Sequence, residues 1–315
     1  MILCCGEALI DMIPSLNTAG VQGFTPHVGG AVFNTAIALG RLRTQTGFIS
    51  GLSRDLFGDM LRGALAGSNV DASLAITSDL PTTLAFVQLT NGHASYTFYD
   101  ENTAGRMLNP DVLPDLPETA SALFFGGISL ISEPCADFYA HLAVRASAKR
   151  VIIVDPNIRA GLIHDANRYR ARLDVLFAHA DIVKVSDEDL NWIFPGPEAL
   201  IDKVKALRQR GPKIVILTKG GAGASALTHS GKMIDVASQR VEVIDTVGAG
   251  DTFNAGVLSN LSETGLLTKT ALSQIADTDM RKALEFGAKV AAITVTRSGA
   301  NPPWKHELSL AKKDG

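Results

Sequence analysis

Residues 243–253 run Val243-Ile244-Asp245-Thr246-Val247-Gly248-Ala249-Gly250-Asp251-Thr252-Phe253. The pattern predicts a strand, a glycine-rich turn and then an apolar helix. Gly248 and Gly250 let the backbone approach a ligand, and a helix start offers N–H groups without intrahelical partners. That is chemistry for an anion. Asp251 stands at its mouth, where a resting carboxylate is costly. It earns that place if it takes a proton from an attacking hydroxyl while the N–H groups hold charge on a transferring phosphoryl. The same residues also serve a plain strand-to-helix turn with Asp251 as its N-cap; the cost of the carboxylate favours the chemical reading.

Other polar or glycine residues fall just past apolar runs, at 6–11, 29–30, 126–127, 155–159, 184–189 and 218–223. Carboxylates, one arginine, two lysines and many glycines on one rim suit a phosphorylated ligand. Three look-alikes fail. Residues 221–226 fit a dinucleotide fingerprint loosely, but a turn and another strand follow where a helix is needed. Ser230-Gly231-Lys232-Met233 lacks the glycine and hydroxyl residue of a Walker A loop. Protein-kinase signals are absent, and the seven histidines show no metal spacing.

The elements that must position these residues alternate. Short apolar strands are expected at 2–5, 45–51, 122–125, 151–154, 182–185 and 213–217. Helices are expected at 32–42, 59–68, 137–148, 168–178, 187–193, 197–210, 250–261 and 280–295. Apolar strands of about four residues between helices indicate a parallel sheet covered on both faces, with ligands beyond its carboxyl edge. Residues 13–28 and 82–101 break the helical rhythm. Residues 86–89 and 94–99 flank Asn91-Gly92, a hairpin signal. One domain, 1–315, with a small β lid from these two segments is expected.

The 315 residues are 46% hydrophobic and 19% charged, which excludes disorder. Against 32 Asp+Glu, 29 Lys+Arg leave a net charge of −3, no field for nucleic acid or anionic lipid; the basic spots at Arg41–Arg43 and Lys312-Lys313 are short. Of three cysteines, Cys4 and Cys5 adjoin in a strand and face opposite ways, as buried small hydrophobes of a reducing compartment do. The N-terminus lacks a signal peptide's basic start, Glu7 and Asp11 interrupt its apolar run, and no run reaches ~18 apolar residues. A soluble, cytoplasmic protein without nucleic-acid or membrane partners is expected.

Two motifs together resemble a known family. Asp245-Thr246-Val247-Gly248-Ala249-Gly250-Asp251 is similar to the second signature of the ribokinase-like (PfkB) carbohydrate kinases, and Gly29-Gly30-Ala31-Val32-Phe33-Asn34-Thr35-Ala36 to the first. Residues 6–11, 98–104, 155–159 and 180–186 resemble its bacterial fructokinase branch. The resemblance spans the chain and implies an α/β, ribokinase-like fold: a central, mainly parallel sheet flanked by helices, with a β lid over the sugar. It implies phosphoryl transfer from ATP with Mg²⁺ to a sugar hydroxyl, fructose to fructose 6-phosphate. The alternatives are a 2-keto-3-deoxygluconate kinase and a catalytically silent sugar or nucleotide sensor. It implies Asp251 as base and the N–H groups of Gly248, Ala249 and Gly250 as anion hole. Asp11, Gly30, Asn34 and Arg159 would bind substrate. Lys184, Ser186, Thr218, Gly220 and Gly223 would bind nucleotide. Asp189 would hold Mg²⁺, and Asp245 a monovalent cation such as K⁺. Taken singly, Asp11 also suits a turn cap, Asn34 a buried backbone partner and Arg159 a surface ion pair. A lid edge can pair between subunits, giving a homodimer.

Three departures stand out. Asp189 is shorter than the usual Glu, Ala288 stands where many members place Asn beside the adenine, and Asp100 replaces a common Arg in the lid pattern. An Asp there would repel an acidic substrate or, facing outward, would read nothing; either way the Arg that would clamp a carboxylate is missing, so discrimination against 2-keto-3-deoxygluconate is expected.

Overall fold

The computed structural model describes residues 1–310 apart from Asn17, Ala19, Asn91 and Gly92; the Asn91-Gly92 turn and the Lys312-Lys313 pair lie outside the described residues. The apolar runs form a nine-stranded sheet. From one edge its order is Met233–Val236, Ala224–Leu227, Ile214–Thr218, Ile182–Ser186, Val151–Asp155, Ala122–Gly126, Ile2–Cys5, Thr46–Ile49 and Val70–Asp71. The first two join antiparallel and the remaining seven run parallel.

Period-2 alternation sends successive residues to opposite faces. Ile2 and Cys4 enter the core under Phe33, Phe48 and Phe253, whereas Leu3 and Cys5 enter the core around Phe138, Tyr139 and Phe177. The helices Ala31–Arg41, Ala249–Glu263 and Asp277–Val295 supply the first layer. Cys135–Ser147, Ala166–His179, Asp187–Ile193 and Leu200–Gln209 supply the second. Both faces are thereby covered, as an all-apolar strand such as Val151–Asp155 requires.

The two arrhythmic segments form a second, four-stranded sheet in the order Gln22–Gly29, Leu9–Leu16, Leu84–Thr90, His93–Tyr99. The strand Leu9–Leu16 leaves the carboxyl end of Ile2–Cys5 almost at once. The small sheet therefore stands at that edge, with Leu9, Ala85 and Phe98 packed on Ile128 and Leu162.

Two expectations change. Residues 45–51 are not one strand: Thr46–Ile49 stays in the main sheet, and Gly51–Ser53 leaves it to pair with Ile76–Ser78. Val243-Ile244 is not a strand; both are exposed, at 58% and 65%. The backbone N–H groups of Ile244 and Asp245 donate to the Val295 carbonyl, so a helix end satisfies this segment in place of a ladder.

Candidate active site

Two cavities open along the carboxyl edge. The first, of about 330 Å³, lies between the small sheet and the start of Ala249–Glu263. Its lining includes Asp11, Gly30, Asn34, Arg159 and Asp251 together with the turn 248–250. The second, of about 680 Å³, is lined by Ser186, Asp189, Thr218, Gly220 and Gly223. Lys184, Arg159, Ala249 and Gly250 border both. Every residue expected in the site lines one cavity or the other except Asp245.

The wall between them is the glycine turn. Gly248 caps the helix with φ 77°, and a Cβ there would stand 2.6 Å from the Ala300 Cβ, so both conformation and space require glycine. Among the described residues the N–H groups of Gly248 and Gly250 have no acceptor, whereas that of Ala249 turns back to the Thr246 carbonyl at 3.2 Å. Two donors of the expected three are therefore without a protein acceptor among the described residues. Asp251 is no N-cap: it sits in the first turn, 8% exposed, with Oδ2 accepting from Asn34 Nδ2 at 2.9 Å. Burial pushes its carboxyl up to about 7, with the Asn34 hydrogen bond opposing. Burial likewise pushes Asp11 up to about 6. A carboxyl near 7 beside unpartnered N–H groups can take a proton from a hydroxyl while the amides receive negative charge.

The first-signature residues have structural duties too. Gly30 precedes the helix Ala31–Arg41, whose first N–H donates to Glu7 Oε1 at 2.9 Å. Asn34 lies one turn on and reaches Asp251 across 217 positions. Arg159 is exposed and held by Asn157 Oδ1 at 2.7 Å. The larger cavity has an apolar wall of Val243, Phe253, Ala288, Ala291, Ala292 and Val295, a surface for a flat heteroaromatic ring. Ala288 belongs to it.

Asp189 is buried and completes a capping box with Ser186; its oxygens accept the N–H groups of Ser186 at 2.9 Å and Ile158 at 2.7 Å. Asp245 accepts from the N–H groups of Val247 at 3.0 Å and Gly299 at 2.8 Å, tying two loops behind the turn. No cluster of three His, Cys, Asp or Glu side chains among the described residues forms a metal cage. Asp100 neither meets the first cavity nor points to solvent. It pairs with Arg106 at 3.0 Å and accepts from Ser132 Oγ at 2.7 Å beside a separate cavity. Its charge is spent on Arg106, so the expected repulsion of an acidic substrate by Asp100 does not arise.

Sequence reasoning missed Tyr96 and Asn254. Tyr96 lines the first cavity from the small sheet, two positions from Phe98 on the same face; alternation along the strand was the signal. Asn254 is buried three residues beyond Asp251 on one helix face and donates to Asp155; helical spacing was the signal.

The family model described as pfkB family carbohydrate kinase matches residues 1–307. The chain belongs to that family. It is 50% identical over 282 residues to a fructokinase of Rhizobium leguminosarum bv. trifolii, covering 89% of this chain and 86% of the relative. Identity to the probable fructokinase-6, chloroplastic, of Arabidopsis thaliana is 34% over 314 residues, 96% of this chain and 79% of the relative. Among solved structures, a fructokinase with bound ATP from Xylella fastidiosa superposes with a TM-score of 0.88 at 27% identity, covering 99% of this chain and 98% of the other. The family's fold is the one described here: a large, mainly parallel sheet flanked by helices with a small sheet at its carboxyl edge. No helix among the described residues is long and apolar enough to cross a membrane.

Proposed function

We propose that the chain is a fructokinase, transferring the γ-phosphoryl group of ATP to a hydroxyl of fructose. The observation that carries this is Asp251: a buried carboxyl raised to about 7, hydrogen-bonded to Asn34, at the glycine turn where two cavities meet. Fructose occupies the first cavity, its hydroxyls meeting Asp11, Gly30 and Asn34. ATP occupies the second, its ring on the apolar wall and its phosphates running past Thr218, Gly220, Gly223, Ser186 and Lys184 toward the turn. Asp251 accepts the proton of the attacking hydroxyl as the O–P bond forms. The N–H groups of Gly248 and Gly250, with Ala249 between them, receive the charge of the transferring group. Arg159, bordering both cavities, meets the phosphate on the acceptor side.

Mg²⁺ suits this donor set as a ligand of the nucleotide's phosphates, since Mg²⁺ keeps several waters and takes one or two carboxylates. Asp189, with Asp187 and Glu188 on the same cavity, would hold it; bound there, it neutralises phosphate charge. Asp245, each of whose oxygens keeps a lone pair, would hold a monovalent cation such as K⁺ behind the turn. The small sheet, from residues 13–28 and 82–101, is a lid in one domain spanning 1–315. Closure excludes water from the transfer. A homodimer through this sheet is part of the reading, because Leu16, Phe24 and Tyr99 are exposed on it. So is a cytoplasmic location, which suits three buried, unpaired thiols.

The test is a phosphorylation screen with Mg-ATP over fructose, glucose, ribose, 2-keto-3-deoxygluconate and adenosine. Fructose should give the highest kcat/KM, by at least about tenfold over the others. Preference for the acid would assign the site to a 2-keto-3-deoxygluconate kinase, and no turnover at all to a silent sensor.

A further inference from the structure

Asp155 ends the strand Val151–Asp155, is 3% exposed, and lines neither cavity. Its Oδ2 accepts from Lys184 Nζ at 3.0 Å and from Asn254 Nδ2 at 2.6 Å. Its Oδ1 has no partner among the described residues. Lys184 comes from the adjacent parallel strand, is 6% exposed, and borders both cavities. A Cβ added at Gly250 would lie 3.4 Å from its Nζ, which places the ammonium against the glycine turn. Asn254 rises from the helix that carries Asp251, three residues further on.

A lysine is a point charge on a flexible stem. Charge stabilises a transition state best when its position is fixed beforehand. Here one carboxylate fixes it, and that carboxylate is itself fixed by Asn254. A buried carboxylate oxygen left without a donor is unfavourable, and Asp155 Oδ1 is one, so the arrangement calls for a return beyond packing. One donor of the ammonium is used by Asp155, and two remain for the cavities.

We propose that Asp155 is a positioning residue: locked by Asn254, it pins the Lys184 ammonium at the wall between the two cavities, where that charge meets the phosphoryl group in transit. The proposal rests on the kinase reading above. Asp155 touches no substrate and acts through Lys184.

Kinetics of Asp155→Asn, Lys184→Met, Asn254→Ala and the Asp155→Asn/Lys184→Met double variant test it, with fructose and Mg-ATP. Lys184→Met should lower kcat about 10²-fold, the usual loss for one electrostatic donor. Asp155→Asn should lower kcat at least about tenfold while KM for fructose stays within about threefold. The double variant should be no slower than Lys184→Met alone, because residues acting as a unit are not additive. Asn254→Ala keeps the ion pair but frees its carboxylate, and should lower kcat without changing KM; it serves equally if Asp155→Asn does not fold. The charged groups facing Asp251 are Lys184, Asp155 and Glu7, with Asp11 and Arg159 across the cavity. Of the first three, the ammonium favours the ionised carboxylate, so Lys184→Met should also move the acid limb of kcat/KM to higher pH. An active wild type whose Asp155→Asn and Asn254→Ala variants keep full kcat, or whose two losses multiply in the double variant, overturns the proposal alone. A wild type inactive on every sugar overturns the kinase reading and this proposal with it.

Discussion

On the proposed reading Asp251 is the base, and its surroundings disfavour its charge. Unfolded, such a carboxyl titrates near 3.8; folded, burial raises it to about 7. Between those values the native chain keeps a proton that the unfolded chain releases, so stability falls as pH rises. The contribution is fully present below about pH 4 and is lost as pH passes through about 7. Asp11, raised to about 6, adds in the same sense. The Tm should therefore decline from pH 5 to pH 8, and Asp251→Asn should flatten that decline. The rate runs the opposite way, since a base must be ionised: kcat/KM should rise with pH through about 7. An equal Tm slope in wild type and Asp251→Asn would remove burial of this carboxyl as the cause. Asp251 and the turn before it were readable in the sequence because glycine spacing and a lone acid leave a local trace. The direction of Asp100 was not readable, because its partners, Arg106 and Ser132, are set by tertiary packing.

The small sheet turns a surface edge into a cavity. Alternation along His93–Tyr99 sends Tyr96 and Phe98 toward the first cavity. On the other face Phe86 meets Phe24 and Tyr99 edge-on at 5.0 and 5.4 Å. Its buried apolar cluster is small beside the main sheet's two cores, and segments with few buried apolar contacts open at low cost. Amide exchange in 84–88 and 96–99 should slow when fructose binds, while 151–155 should not change. Identical exchange with and without sugar would contradict a closing lid. The period-2 strands were evident, because they broke the helical rhythm. The parallel pairing of Leu9–Leu16 with Leu84–Thr90 was not, since no local pattern joins segments that far apart. The missing strand at Val243-Ile244 is the converse case: β-prone residues lack a sheet neighbour and rest on a helix end.

Across the whole molecule, the seven parallel strands bring their carboxyl ends to one rim and so assemble residues separated by more than 200 positions. Alternating apolar runs announced that architecture, and the rim residues followed from it. What no run announced was the buried network beneath, because Asp155, Lys184 and Asn254 meet only once the sheet and its covering helix are packed. The proposed chemistry comes to one point, the proton that Asp251 would remove. Turnover of fructose by Asp251→Asn with Mg-ATP tests it most directly. The variant should bind fructose with near wild-type affinity and lose about 10²–10⁴-fold in kcat, the range for a general base. A folded Asp251→Asn protein that turns over at the wild-type rate would contradict it.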